Sequence, residues 1–358
     1  MPSICFVAPQ AWPVLSRDPH IPVVGGAEVQ QAILARLLAA QGRAVSMICL
    51  DYGQPDGAQV DGVTVRKIFR QQEGVPVLRF LHPRLTSMWR ALKAVNADIY
   101  YFRSAAMWVG VLAGFCRAAG KRLVYAGASN KDFEPDQSGQ IPYARDRWLY
   151  RQGLERADAI VAQNEYQRST CKQTYARDAV VIPSVYELPG NRAEKSDLIL
   201  WVGTVHENKR PELFFDLARR LPLRRFVMIG GPGANRAFYE EMKSRAAALP
   251  NLEFKGFLPL AQVEPWFDRA RVLVNTSTYE GMPNVFLQAW ARGVPTVATV
   301  DVGVKEHRVA PSIESLVDGV EDAFANPEAG RACQAYFQRT HSSSSVLARY
   351  NELFESLA

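Results

Sequence analysis

Short runs of β-branched and aromatic residues alternate with amphipathic stretches along the whole chain, and this alternation restricts the fold more than any other feature. Ile4–Ala8, Ala44–Leu50, Val63–Ile68, Ile99–Phe102, Arg122–Tyr125 and Ala159–Ala162 read as buried strands. Helical segments lie between them. In the clearest, Glu28–Gln41, residues Val29, Ile33, Leu37 and Leu38 form one apolar stripe and Gly42 ends it. Such alternation predicts a parallel sheet covered by helices on both faces, an α/β fold. The pattern breaks across Pro183–Asp197, then restarts with Leu198–Val202, Arg225–Ile229, Leu252–Lys255, Val272–Asn275 and Pro295–Ala298. A boundary is therefore expected near residue 188. Residues 1–188 and 189–342 would form two Rossmann-like domains, with the strand C-termini of both sheets facing a deep cleft between them. Ser342–Ser345 reads as a helix N-terminus, and the final helix, 343–358, is expected to pack back on the first domain.

Composition closes off other classes. With 358 residues, 48% hydrophobic and 22% charged, the chain is an ordinary globular one, long enough for two cores without staples. The 42 Lys and Arg against 36 Asp and Glu leave +6, which suits an anionic small molecule or an anionic membrane surface. The basic residues match no nucleic-acid reading module, so no nucleic-acid partner is expected. Cys5, Cys49, Cys116, Cys171 and Cys333 are scattered, and none forms a CxxC pair, so neither disulfides nor a zinc site is expected. No leader-like segment precedes Ile4, and the longest uncharged apolar stretch, Ser104–Cys116, is shorter than the roughly 18–20 residues of a membrane span. A soluble protein of a reducing cytoplasm is the expectation.

Two segments of the second half carry chemistry. Trp201–Glu212 runs from a strand through Gly203, Thr204, Lys209 and Arg210 into a helix with Pro211 at its first turn. A strand-to-helix turn offers unpaired N–H groups and a positive dipole end to an anion, and Lys209 and Arg210 add charge; a solvated basic loop is the plainer alternative. The second segment, Asn275–Val285, leads from a hydrophobic strand into a helix over Asn284–Arg292. Glu280 followed by Gly281 has little structural motive there, since a carboxylate before a helix contributes only about 0.3–1 kcal/mol. A functional carboxylate explains it better.

With the order and spacing around them, these segments resemble the retaining glycosyltransferases of family four, the group 1 glycosyl transferases with the GT-B fold. The resemblance covers nearly the whole chain. It rests on Gly25-Gly26-Ala27-Glu28 after the first strand, Gly203 with Lys209, Gly256-Phe257, Glu280-Gly281-Met282-Pro283-Asn284 and Ala291-Arg292-Gly293-Val294-Pro295. It implies a nucleotide-sugar donor, a UDP- or GDP-sugar, held mostly by the second domain, with no metal and no other cofactor. The absence of an Asp-x-Asp pair agrees. By resemblance, Lys209 contacts the donor diphosphate, Glu280 binds donor-sugar hydroxyls, and the backbone of Gly281, Met282, Pro283 and Asn284 lies nearby. Phe257 and Leu258 occupy the base-recognition loop. Gly25 and Gly26, together with Ser129, Asn130 and Asp132, lie on the acceptor side. Catalysis would reside in stabilising charge on the departing diphosphate.

Four departures stand out. Thr204 replaces the family's usual Arg, and Gln288 replaces a second Glu that binds ribose hydroxyls. Ala126–Asp132 lacks a His, and Asp301–Pro311 is short. Arg to Thr204 and Glu to Gln288 together leave the formal charge unchanged, and Gln288 still accepts from one hydroxyl and donates to another. The expected function is transfer of a hexose to a growing, lipid-linked glycan in surface polysaccharide biosynthesis. A catalytically silent nucleotide-sugar-binding or scaffold relative is the alternative. A dinucleotide oxidoreductase, suggested by Ile229-Gly230-Gly231-Pro232-Gly233, lacks both the G-x-G-x-x-G spacing and the ribose-binding acid.

One further feature lies outside these motifs. Arg66, Lys67, Arg70, Arg79, Arg84, Arg90 and Lys93 stand against a single acid, Glu73, with Phe69, Phe80, Leu81 and Trp89 interleaved. Either this face attaches the protein peripherally to the inner face of the cell membrane, or it is a solvated basic face above core aromatics.

Overall fold

The computed structural model describes residues 1–17, 25–74, 80–187 and 193–358. The boundary expected near residue 188 lies outside the described residues, as do Pro189, Gly190 and Arg79. The chain divides into two compact units, Met1–Val185 with Ser343–Ala358, and Tyr186–Ser342.

The first unit is built on eight strands: β1 (Ile4–Val7), β2 (Val45–Cys49), β3 (Gln59–Val60), β4 (Val63–Lys67), β5 (Ile99–Arg103), β6 (Arg122–Ala126), β7 (Ala159–Ala162) and β8 (Val180–Val181). Their order is β3-β4-β2-β1-β5-β6-β7-β8. Every pairing is parallel except that of β3 with β4. All residues of β1 and β5 are buried, as expected of strands covered on both faces. The chain winds outward from β1 through β2 to β4, then returns to place β5 on the other side of β1. That reversal is a topological switch point, and in open α/β sheets the crevice beyond the strand C-termini there is where ligands bind.

The helix expected over Glu28–Gln41 runs from Gly26 to Ala40, and Gly42 follows it at φ +83°. Helix Ser343–Ser356 packs within this unit: the Tyr350 and Tyr101 hydroxyls lie 3.1 Å apart, and buried Arg43 donates to Asn351 and Glu355.

The second unit repeats the plan with six parallel strands: β9 (Leu198–Val202), β10 (Arg225–Ile229), β11 (Leu252–Phe254), β12 (Ala270–Asn275), β13 (Thr296–Ala298) and β14 (Arg308–Val309). Their order is β11-β10-β9-β12-β13-β14, so the switch point lies between β9 and β12. Trp201, Phe214, Phe215, Phe226 and Val272 meet in the core of this unit. Among the described residues, no helix is long and apolar enough to cross a membrane.

The basic run of the first unit is distributed more evenly than its sequence suggests. Arg66 pairs with Asp56, while Lys67 and Arg70 both reach Asp51 at 3.5 Å. Phe69 is buried and Trp89 packs against the core, whereas Leu81, Arg90 and Lys93 are exposed.

Candidate functional site

In the second unit, the segments leaving β9 and β12 are fastened to each other at the switch point. After β9, Glu207–Lys209 forms one 3-10 turn, capped by the His206 ring nitrogen accepting from the Asn208 N–H. Arg210 follows at φ +42°, and Pro211 opens the helix Pro211–Arg220. After β12, the Thr276 hydroxyl donates to the Lys209 carbonyl at 2.5 Å while accepting from the Trp201 indole N–H at 3.0 Å. The Thr278 N–H donates to the Asn208 carbonyl at 2.9 Å. Arg210 Nε donates to the Thr276 carbonyl at 2.8 Å, so this guanidinium ties the two segments together.

Fastening brings Lys209 onto Glu280, 71 residues away, as a partly buried ion pair with 22% and 14% of the two side chains exposed. The same carboxylate oxygen accepts from the Ser277 hydroxyl at 2.6 Å, and Asn275 Nδ2 lies 3.4 Å away. Ser277 and Asn275 were not singled out from sequence, though both lie within five residues of Glu280. Burial and the Lys209 charge hold His206 below its usual pKa range, so its imidazole is neutral at pH 7 and suited to accept from the Asn208 N–H.

The other expected residues fall around this pair. Gly203 follows β9 directly, with the Trp201 ring 3.4 Å from where its Cβ would be. Thr204 is exposed. A Cβ on Gly230 would lie 1.9 Å from the Gly203 carbonyl oxygen, which explains this glycine by close approach of β9 to β10. Gly231 packs on Phe257, which with Leu258 is half-buried and follows Gly256 at φ +70°. Gly281 and Pro283 are buried, Met282 is half-buried, and the helix Asn284–Trp290 starts without a side-chain cap.

Gln288 lies on that helix, 6% exposed, and donates from Nε2 to Glu264 at 3.1 Å. Glu264 belongs to a network absent from the sequence reading. Arg292 pairs with Glu264 and with Asp268 and donates to the Tyr186 hydroxyl, which in turn donates to Glu264 at 2.7 Å. A carboxylate therefore stands beside position 288, contributed by a different helix.

In the first unit, Gly25 caps the helix Gly26–Ala40, and Glu28 folds back beneath it. Ser129, Asn130 and Asp132 form one capped turn after β6. Asp132, 1% exposed, points inward and accepts from the Ala128 N–H at 2.7 Å and the Ser129 N–H at 3.2 Å. The Asn130 side-chain Oδ1 accepts from Gln167 Nε2 at 3.1 Å. Among the described residues, no three His, Cys, Asp or Glu side chains assemble as a metal-ligating group.

Two Rossmann-like α/β units, each with polar residues at its switch point, are consistent with the GT-B fold. Solved structures agree over the full length. Sucrose-phosphate synthase from Thermosynechococcus elongatus matches with a TM-score of 0.76 at 16% identity, covering 100% of this chain and 99% of that one. A mutant TarM of S. aureus, in complex with fondaparinux, α-GlcNAc-glycerol and UDP, gives 0.71 at 10% identity over 99% and 100%. The outer-core galactosyltransferase WaaB gives 0.67 at 14% identity, also over 99% and 100%.

Residues 24–187 match the model described as Glycosyltransferase Family 4, and residues 196–326 match that of Glycosyl transferases group 1. The chain belongs to the group 1 glycosyltransferases. A curated relative, the Vi polysaccharide biosynthesis protein VipC/TviE of Salmonella typhi, is 34% identical over 118 residues, 32% of this chain. The match spans only 18% of that relative's length.

Proposed function

We propose that this glycosyltransferase moves a hexose, with retention of anomeric configuration and without a metal, from a UDP- or GDP-sugar to a lipid-linked glycan of a surface polysaccharide. The observation that carries the proposal is the Lys209–Glu280 pair at the switch point of the second unit. In this reading Lys209 is the cation that stabilises the charge developing on a diphosphate leaving group, the role a metal plays elsewhere. Glu280, oriented by Ser277 and Asn275, offers a fixed acceptor for donor-sugar hydroxyls. Arg210 donates to the Thr276 and Ser277 carbonyls, which favours Lys209 over Arg210 as the cation for the diphosphate. The relationship to a polysaccharide biosynthesis protein supports the glycan acceptor, and the UDP in the TarM complex supports a uridine donor.

Two experiments test this reading. A thermal-shift panel of UDP, GDP, ADP and their sugars should give stabilisation by one nucleotide family, rising with the logarithm of concentration. The same protein should hydrolyse the matching donor slowly without an acceptor; binding without hydrolysis would favour the silent relative. For the lipid-linked acceptor, the exposed residues Arg90, Lys93 and Leu81 are basic and apolar candidates for membrane contact. Salt-sensitive co-sedimentation with anionic but not neutral vesicles is the expected result.

A further inference from the structure

The first unit carries a second feature that the donor chemistry does not use. At its switch point, beyond the C-terminal ends of β1 and β5, lies a cavity of about 350 Å³. Arg103, the last residue of β5, lines it, as do Arg84, Glu28, Gln31, Phe69 and Trp108.

The two arginines are unusual in their surroundings. Arg103 is 5% exposed, yet among the described residues no carboxylate lies within ion-pairing distance of it, and the same holds for Arg84. One terminal nitrogen of Arg103 donates to the Ser184 hydroxyl at 3.1 Å, while its Nε is buried without a partner among those residues. Arg84 sits over the Phe69 ring at 5.7 Å, and its Nε is likewise unpartnered. Gln31 Oε1 makes a third. Of eight buried polar side-chain atoms without a partner among the described residues, three belong to residues lining this one cavity. A buried guanidinium without a counterion is costly, and native proteins leave few such groups unexplained.

The acids that feel the Arg103 charge do not answer it. Burial pushes both Glu28 and Asp132 up, Asp132 to about 6, and Asp132 is spent on its own turn. The lining residues that carry charge are two arginines and one carboxylate, Glu28. A guanidinium fork matches a carboxylate or a phosphate in shape as well as charge.

We infer that this cavity selects an acceptor sugar bearing an anionic group, a carboxylate or a phosphate, which Arg103 and Arg84 bind. Trp108 then lies against the apolar face of the sugar ring, and Glu28 and Gln31 meet its hydroxyls. Calling the ligand an acceptor rests on the transferase reading; the anion preference does not.

The test is calorimetric titration of the full chain with glucuronate, glucose 6-phosphate, glucose and inorganic phosphate. At least one charged sugar should bind tenfold or more tightly than glucose; glucuronate would identify a uronic acid and glucose 6-phosphate a phosphorylated sugar. Arg84→Gln should remove most of that preference. It serves beside Arg103→Gln because Arg84 is half-buried, whereas the loss of the buried Arg103 risks the fold. Equal affinity for glucose and both charged sugars, no binding at all, or an unaltered preference in folded Arg84→Gln would overturn the inference. Inorganic phosphate binding as tightly as glucose 6-phosphate would also overturn it, making this a site for the free ion. Donor hydrolysis by the wild-type protein, measured without acceptor, reports separately on the transferase reading.

Discussion

Replacing Gln288 by Glu restores the residue type usual in the family, and the structure gives a reason to expect harm from it. Gln288 Nε2 donates to Glu264 at 3.1 Å, and Glu264 already shares Arg292 with Asp268. A carboxylate in place of the amide loses that donor and sets two like charges in contact. At that spacing and an effective dielectric near 20, the repulsion is about 5 kcal/mol, and relaxation to roughly 5 Å still leaves about 3 kcal/mol. The pair escapes by holding one proton, which raises a native-state carboxyl pKa above its unfolded value of about 4.3. A raised pKa means that the native state binds more protons than the unfolded one above pH 4, so stability falls as pH rises through that window. Urea unfolding of Gln288→Glu and wild type from pH 4.5 to pH 8 should show a small difference at the acid end, growing to about 2–3 kcal/mol at pH 8. Nucleotide affinity at pH 8 should be no better than wild type. A pH-independent difference, or a variant as stable as wild type at pH 8, would refute the placement of Glu264 beside position 288.

Two more expectations follow from packing and burial. Gly230→Ala puts a methyl 1.9 Å from the Gly203 carbonyl oxygen and should destabilise by about 3 kcal/mol or more, whereas Gly114→Ala, in a helix with open space around it, should stabilise by about 0.5–1 kcal/mol. Thermal melts of the two variants check this, and a Gly230→Ala protein melting with wild type would contradict it. Burial pushes Asp132 up to about 6, so wild type should lose stability relative to Asp132→Asn as pH rises from 4 to 7, by up to about 3 kcal/mol. Parallel profiles for the two proteins would show that this carboxyl does not titrate in that range.

Eleven of the strands were legible in the sequence to within two residues, because a buried parallel strand declares itself as a continuous apolar run. The three missed strands, β3, β8 and β14, have two residues each and lie at or beside the sheet edges, too short for any periodicity to register. The short helix Trp12–Ser16 escaped for the same reason. Candidate residues were legible singly: Lys209 and Glu280 each occur in a telling local context. Their meeting was not, because nothing local signals a partner 71 positions away; it depends on the sheet order that puts β9 beside β12. Glu264 beside Gln288 was hidden likewise, since the two lie on different helices. The partners of the basic run were not legible from the run itself, because Asp51 and Asp56, which answer three of its charges, precede it in the chain.

The central claim is that Lys209 serves the diphosphate and Glu280 the sugar, and one comparison tests it most directly. Nucleotide diphosphate affinity and donor turnover are measured side by side for wild type, Lys209→Ala and Glu280→Gln. Removing Lys209 takes away a charge-assisted contact worth about 1.5–3 kcal/mol, so affinity should fall roughly ten- to over a hundredfold. Glu280→Gln releases Lys209 from its ion pair, so nucleotide affinity should be unchanged or tighter while kcat and kcat/KM fall together. Loss of nucleotide binding in Glu280→Gln, or wild-type affinity in Lys209→Ala, would contradict the assignment of both residues.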